Sequence, residues 1–163
     1  MHVIAMQRAF FLRILWLIGL VVAVAGCGSG GKLGGVSVAA VSIRSAVPAK
    51  LDTQAIVTLR FTNENVVPVG LSGGKYKLYL NGTYVGQAVG KEALGLPQLS
   101  SATQEATLTF ASPSVAALLR DLSKAPQASY RIESVLFVIV GEEKLEIKSR
   151  NQGAVDLTGL RSN

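Results

Sequence analysis

The chain has 163 residues, of which 49% are hydrophobic and 16% charged, with 16 basic and 10 acidic side chains giving a formal net charge of +6. That length suits one domain with a sizeable core. Its sole histidine, His2, and its sole cysteine, Cys27, stand close to the N-terminus, so nothing further along can build a Ser-His-Asp or Cys-His centre, a histidine-based zinc site or an internal disulfide.

The first element read along the chain is apolar. Ile14–Gly26 is a run of 13 residues, preceded by Arg8 and Arg13 and ending in Val24-Ala25-Gly26-Cys27. Crossing a bilayer takes roughly 20 apolar residues, so the run is too short for a transmembrane helix. A basic start, an apolar middle, small residues and then a thiol resemble a bacterial lipoprotein signal, a helical segment over 1–26 cleaved between Gly26 and Cys27. The small side chains let the segment lie extended in a peptidase cleft, and the Cys27 thiolate is the group that can form a thioether to diacylglycerol. The expected prosthetic group is that acyl lipid, with no other cofactor and no metal.

Cleavage there removes Arg8 and Arg13 with the signal and leaves 137 residues carrying 14 basic and 10 acidic side chains, a net +4. That balance is ordinary for solubility and reads as a solvated surface rather than a nucleic-acid-binding one. Residues 27–35, from Cys27 through Gly28-Ser29-Gly30-Gly31-Lys32-Leu33 to Gly35, form a flexible tether. Gly28, rather than aspartate, follows the cysteine. By analogy with lipoprotein sorting in Gram-negative bacteria this predicts an outer-membrane protein facing the periplasm, or the outer face of the plasma membrane in a Gram-positive cell.

Residues 36–163 read as one domain of short β-period segments. Val36–Val38 and Val41–Ile43 alternate apolar with polar but slip phase at Ala39-Ala40, where a bulge restores the facing. Ala55, Val57, Leu59 and Phe61 mark a half-buried strand. Tyr76, Leu78 and Leu80 alternate with Lys75, Lys77 and Tyr79 and run into Asn81-Gly82, a pair that tolerates positive φ at both central positions and predicts a tight hairpin to Thr83-Tyr84-Val85. Ala102–Ala111 is another alternating strand. Ser112, Pro113 and the stripe Val115, Leu118, Leu119, Leu122 predict a helix over about Pro113–Lys124 with Ser112 as its cap. Tyr130–Val140 is a long apolar strand, Gly141-Glu142-Glu143 a turn, Lys144–Ser149 a strand and Val155–Leu157 a short last one. The expected fold is all-β, an antiparallel sandwich of about seven strands with one short helix, in the manner of immunoglobulin and fibronectin type III domains.

The order Leu59-Arg60-Phe61-Thr62-Asn63-Glu64-Asn65, Val67-Pro68-Val69, the hairpin Tyr76–Gly86, Leu96-Pro97 and Gly153-Ala154-Val155-Asp156-Leu157 resembles the late-embryogenesis-abundant group 2 domain, also called the water-stress and hypersensitive-response (WHy) domain. The likeness covers about Val36 to Leu157. Where that family usually has Asn-Pro-Asn, this chain has Asn63-Glu64-Asn65 and lacks the fixed φ of the proline. The resemblance implies a non-enzymatic protein protecting the cell envelope in desiccation or osmotic stress. An accessory lipoprotein docking onto an envelope or export assembly, or a carrier of a small apolar molecule between the sheets, remains an alternative.

Asn63, Asn65, Asn81 and Gly82 are expected to be structural, because asparagine bonds nearby backbone in turns and tolerates left-handed conformations. Glu142 and Glu143 are adjacent in a turn and read as solvated charges. Gly70-Leu71-Ser72-Gly73-Gly74-Lys75 lacks phosphate-loop spacing and leads into a strand, so no helix N-terminus is available to bind phosphate. No catalytic residues emerge. Lys75, Lys77 and Tyr79 share one strand face, as do Lys144 and Lys148 on another; these are the candidate binding surfaces, either for anionic headgroups of the membrane or as solvated faces that discourage aggregation.

Overall fold

The computed structural model describes residues 35–47 and 50–161, which belong to one compact unit, Leu33–Asn163. The expected signal segment, Cys27 and the tether up to Leu33-Gly34 lie outside the described residues. The strands are β1 (Val36–Val47), β2 (Lys50–Asn63), β3 (Val69–Leu80), β4 (Thr83–Gly90), β5 (Leu94–Leu96), β6 (Ser101–Phe110), β7 (Gln127–Val140) and β8 (Glu143–Asp156). One helix, α1 (Ser114–Leu122), lies between β6 and β7, and a 3-10 turn, Thr158–Leu160, follows β8.

The fold is mostly β with one short helix, as the alternation predicts, but the expected sandwich is corrected to a barrel. The sheet runs β4-β6-β2-β1-β8-β7-β3, and β4 then pairs with β3 to close seven strands, while β5 adds to the start of β3. β4 does this by pairing through Lys75↔Val89 and Lys77↔Gln87 on one side and through Gln87↔Thr109 and Ala88↔Leu108 on the other. Closure depends on local bends. Register shifts place an extra residue at Val41 in β1, Ser72 in β3 and Val85 in β4, the first of them where the phase slip in the sequence requires it. Bulges bend a strand and raise its twist, and here they turn a sheet with edges into one that meets itself. The seam between β1 and β8 is the lightest, a single parallel pair, Ser42↔Asp156.

The interior is filled by inward residues of β1, β2, β3, β6 and β7: Ile43, Leu59, Phe61, Leu78, Leu80, Leu108, Ile132 and Leu136 are each at most 2% exposed. Burying one such side chain contributes about 1.5–3 kcal/mol. Phe61 and Tyr76 meet edge to face at 5.9 Å and 65°. α1 carries the chain across one end of the barrel, and its Val115 and Leu119 join the same core. It starts one residue later and ends two earlier than expected. Ser112 does not cap it: its Oγ bonds Ser114 Oγ at 2.7 Å, and Pro113 takes the cap position with helical φ and ψ.

Two strands are longer than the alternation suggests. β3 begins at Val69 because Gly73 and Gly74, which interrupt the pattern, sit at its bulge and are both buried. β8 is continuous through the polar stretch Arg150–Gln152, pairing as Glu133↔Arg150, Ile132↔Asn151 and Arg131↔Gln152. After it, Asp156 accepts hydrogen bonds from the Thr158 N–H at 2.8 Å and hydroxyl at 3.0 Å, which hold its carboxyl below the ordinary range.

The Tyr76 phenol sits inside the barrel against Gly74 and Gly90; a Cβ on Gly90 would stand 3.2 Å from its oxygen, and one on Gly74 would collide with it. Burial pushes the phenol up to about 12. A neutral phenol is therefore favoured by the fold, so its stabilising effect is complete below pH 10 and is lost as pH rises through about 12. Absorbance of phenolate should appear in step with loss of β circular dichroism in that window, and Tyr76→Phe should move the alkaline transition upward.

Candidate functional site

The outward residues of β4, β3, β7 and β8 form a basic face. Register places Gln87, Lys77, Glu133 and Arg150 in one row, Lys75, Val135 and Lys148 in the next, and Tyr79, Arg131 and Gln152 on the other side. A shallow groove of about 410 Å³ runs across the first two rows, with Lys75, Lys77, Lys148 and Arg150 around it and Val135 within it. Glu133 is its carboxylate, held by Arg150 Nη2 at 2.7 Å and facing Arg131 Nε at 3.9 Å. Lys148 stands 3.9 Å from Glu146. Lys75 and Lys77 have no ion pair among the described residues and are exposed. The Arg131 guanidinium lies 4.0 Å over the Tyr79 ring, which tilts against Tyr84 at 5.3 Å.

The sequence-predicted Lys75, Lys77 and Tyr79 thus share a face with Lys148, but Lys144 lies opposite Ile139, away from the groove. Arg131, Glu133 and Arg150 were missed. Arg131 and Glu133 alternate with Ile132 and Ser134 inside what reads as a long apolar strand, and Arg150 falls between the two expected strands Lys144–Ser149 and Val155–Leu157. Chemically the face can receive an anionic group between lysines over a small apolar floor; it holds no nucleophile and general base in contact. Among the described residues no three His, Cys, Asp or Glu side chains gather.

Glu133→Gln should tighten binding to a polyanionic matrix, seen as elution at higher salt, because it removes the carboxylate that neutralises Arg150 and Arg131. As a largely exposed pair with Arg150, its loss should change stability by about 1 kcal/mol or less.

The asparagines lie elsewhere. At the end of β2, Asn63 is fully buried and donates from Nδ2 to Val67 O at 2.9 Å, Leu96 O at 3.2 Å and Pro97 O at 2.9 Å. Its Oδ1 accepts from Asn65 N at 3.0 Å and Asn65 Nδ2 at 2.9 Å. One amide therefore ties the β2–β3 loop to the segment after β5. At the opposite end, Asn81 and Gly82 have φ of 46° and 82°, the two left-handed residues of the β3–β4 hairpin, and Asn81 Oδ1 accepts from Ser129 N at 3.1 Å and Oγ at 2.8 Å.

The sequence model of the late embryogenesis abundant protein family LEA_2 matches residues 58–153, which takes in the end of β2, β3 through β7 whole and most of β8. The chain belongs to that family. A protein of Arabidopsis thaliana solved in solution is similar at 14% identity and a TM-score of 0.48, over 78% of this chain and 87% of that one. A putative late embryogenesis abundant protein is similar at 9% identity and 0.43, over 92% and 88%. A crystal structure from Archaeoglobus fulgidus is similar at 16% identity and 0.40, over 77% and 97%. No curated protein matches the sequence.

Proposed function

We propose that this is a non-enzymatic lipoprotein of the WHy type, anchored through Cys27, whose barrel protects components of the cell envelope during desiccation or osmotic stress. Membership of the late embryogenesis abundant family carries the reading, and Val24-Ala25-Gly26-Cys27 supplies the address. With Gly28 after the cysteine, the site of action is the periplasmic face of the outer membrane, or the outer surface of the plasma membrane in a Gram-positive cell. Protection of this kind needs an accessible polar surface rather than a deep pocket, and the shallow basic face suits weak contact with anionic headgroups or partly dehydrated proteins. Two measurements test it. The full chain should incorporate labelled palmitate, with Cys27→Ala unlabelled; a deletion strain should lose viability and leak on drying or osmotic upshift. Label in the alanine variant removes the anchor, and a deletion strain as hardy as its parent removes the protective role.

The docking alternative has its own support in the light seam beside β8. The side of that strand turned away from β7 is paired to β1 only at Asp156, and the parallel register brings the start of β1 to about Arg150, so Glu143–Ser149 offers a strand edge to an extended segment of an envelope protein. Crosslinking from Lys144 should then capture one stoichiometric partner, whereas a diffuse set argues for the protective reading.

A further inference from the structure

The barrel end that holds the Asn63 junction carries an exposed apolar tip. Val66 is 74% exposed, Val67 40% and Leu99 69%, large apolar side chains left in water on two different loops. These loops are not independent. The Leu99 N–H donates to Asn65 O at 3.1 Å, Leu99 sits at a φ of 50° that few side chains adopt, and Asn65 is itself held by Asn63. A shallow concavity lined in part by Pro68, Pro97 and Ile139 adjoins the tip and extends the apolar surface. Patches of this kind on a monomeric domain mark an interaction site.

What covers the patch follows from where the chain enters. Gly35 O accepts the Glu64 N–H at 2.6 Å, so the segment from the N-terminus joins the barrel beside Asn65 and Val66. Cys27 is eight residues before Gly35, a span of at most about 28 Å fully extended and about 16 Å as a flexible coil. A lipid on Cys27 therefore keeps this end of the barrel close to the bilayer. We propose that Val66, Val67 and Leu99 seat in the interfacial layer of the membrane that anchors the chain. The inference rests on lipidation of Cys27. Glu64, exposed beside the tip, gives anionic headgroups nothing to attract, so the contact is apolar and draws nothing from anionic lipid. Lys75 lies six residues along β3 from Val69, about 20 Å from the tip, so the apolar tip and the basic face are separate surfaces.

Trp16, in the signal, is the only tryptophan, so the processed protein accepts a single-site probe. Full-length chain carrying Leu99→Trp, matured in a bacterium, purified from membranes and reconstituted in phosphatidylcholine vesicles with brominated acyl chains, should show blue-shifted emission and lose much of it to quenching. Val66→Trp should behave alike and serves as the second probe if the first variant folds poorly. Tyr84→Trp, at the opposite hairpin end, should remain unquenched, and raising the salt should change none of this. Palmitate labelling of the same samples separates the two claims: absence of label removes the anchor and the proposal together. With label present, an unquenched probe at both tip positions, quenching equal to that at position 84, or crosslinking of the tip to a second copy overturns the bilayer contact alone.

Discussion

Asn63→Ala should lower the free energy of unfolding by about 2–4 kcal/mol, read as a fall in the denaturant midpoint at unchanged slope. The cost comes from what is left behind. Three carbonyls, those of Val67, Leu96 and Pro97, lose their donor, and the two Asn65 donors lose their acceptor, around a side chain that is itself fully buried beneath a partly exposed rim. Asn63→Asp keeps the size and the acceptor but cannot donate from an ionised oxygen to three carbonyls. It should cost at least as much at neutral pH and recover part of the loss under acid conditions, where a protonated carboxyl can again give one hydrogen bond. A variant of either kind that unfolds like the parent would show that the loops are held by something other than this amide. The packing of the two loops through Asn65 and Leu99 should loosen as well, visible as faster amide exchange at Leu99.

Gly86→Ala should be of the same order, about 3 kcal/mol, with Tm lower by on the order of 10 °C. Gly86 has φ of 155° and faces the backbone of β6, where a Cβ would run into the carbonyl oxygen of Thr109. It also follows the extra residue Val85, at the strand that pairs on both sides to close the barrel. Relief of the collision would separate β4 from β6, so the effect is on closure rather than on one contact. Gly95→Ala is the matched control: nothing lies within 4 Å of its Cβ position, and it should change stability by less than about 0.5 kcal/mol.

The strands were legible because one face of each is buried. Ala55, Val57, Leu59 and Phe61 alternate on the sequence and are each at most 1% exposed, and Asn81-Gly82 makes the hairpin that its φ tolerance predicts. How the strands close was not legible, since alternation specifies which face is inward and says nothing of which neighbour lies on an edge. A sandwich and a barrel share that pattern. The deciding residues are Ser72, Gly73, Val85 and Gly86, where bulges reverse the phase and break the signal a reader follows. The basic face was half legible: Lys75, Lys77 and Tyr79 announce themselves on one strand, whereas Glu133 and Arg150 join them only through the register of β7 with β3 and β8. The apolar tip carried no periodic signal, because Val66 and Leu99 lie on separate turns 33 residues apart and are brought together by backbone hydrogen bonds and the Asn63 amide.

The single pair between β1 and β8 has a mechanical meaning for a barrel held by its N-terminus. Tension applied through Gly35 falls first on Glu64 N–H···O Gly35 and then on Val36↔Asn63, and beyond these β1 is paired along its length with β2 while Val36, Val38, Ala40 and Ile43 hold it to the core. Load reaches these bonds in succession, as in opening a zip, so β1 should be the first strand to yield. Were the chain anchored through Cys27, a bilayer contact at the same end would carry part of that load, sparing the first strand to be pulled.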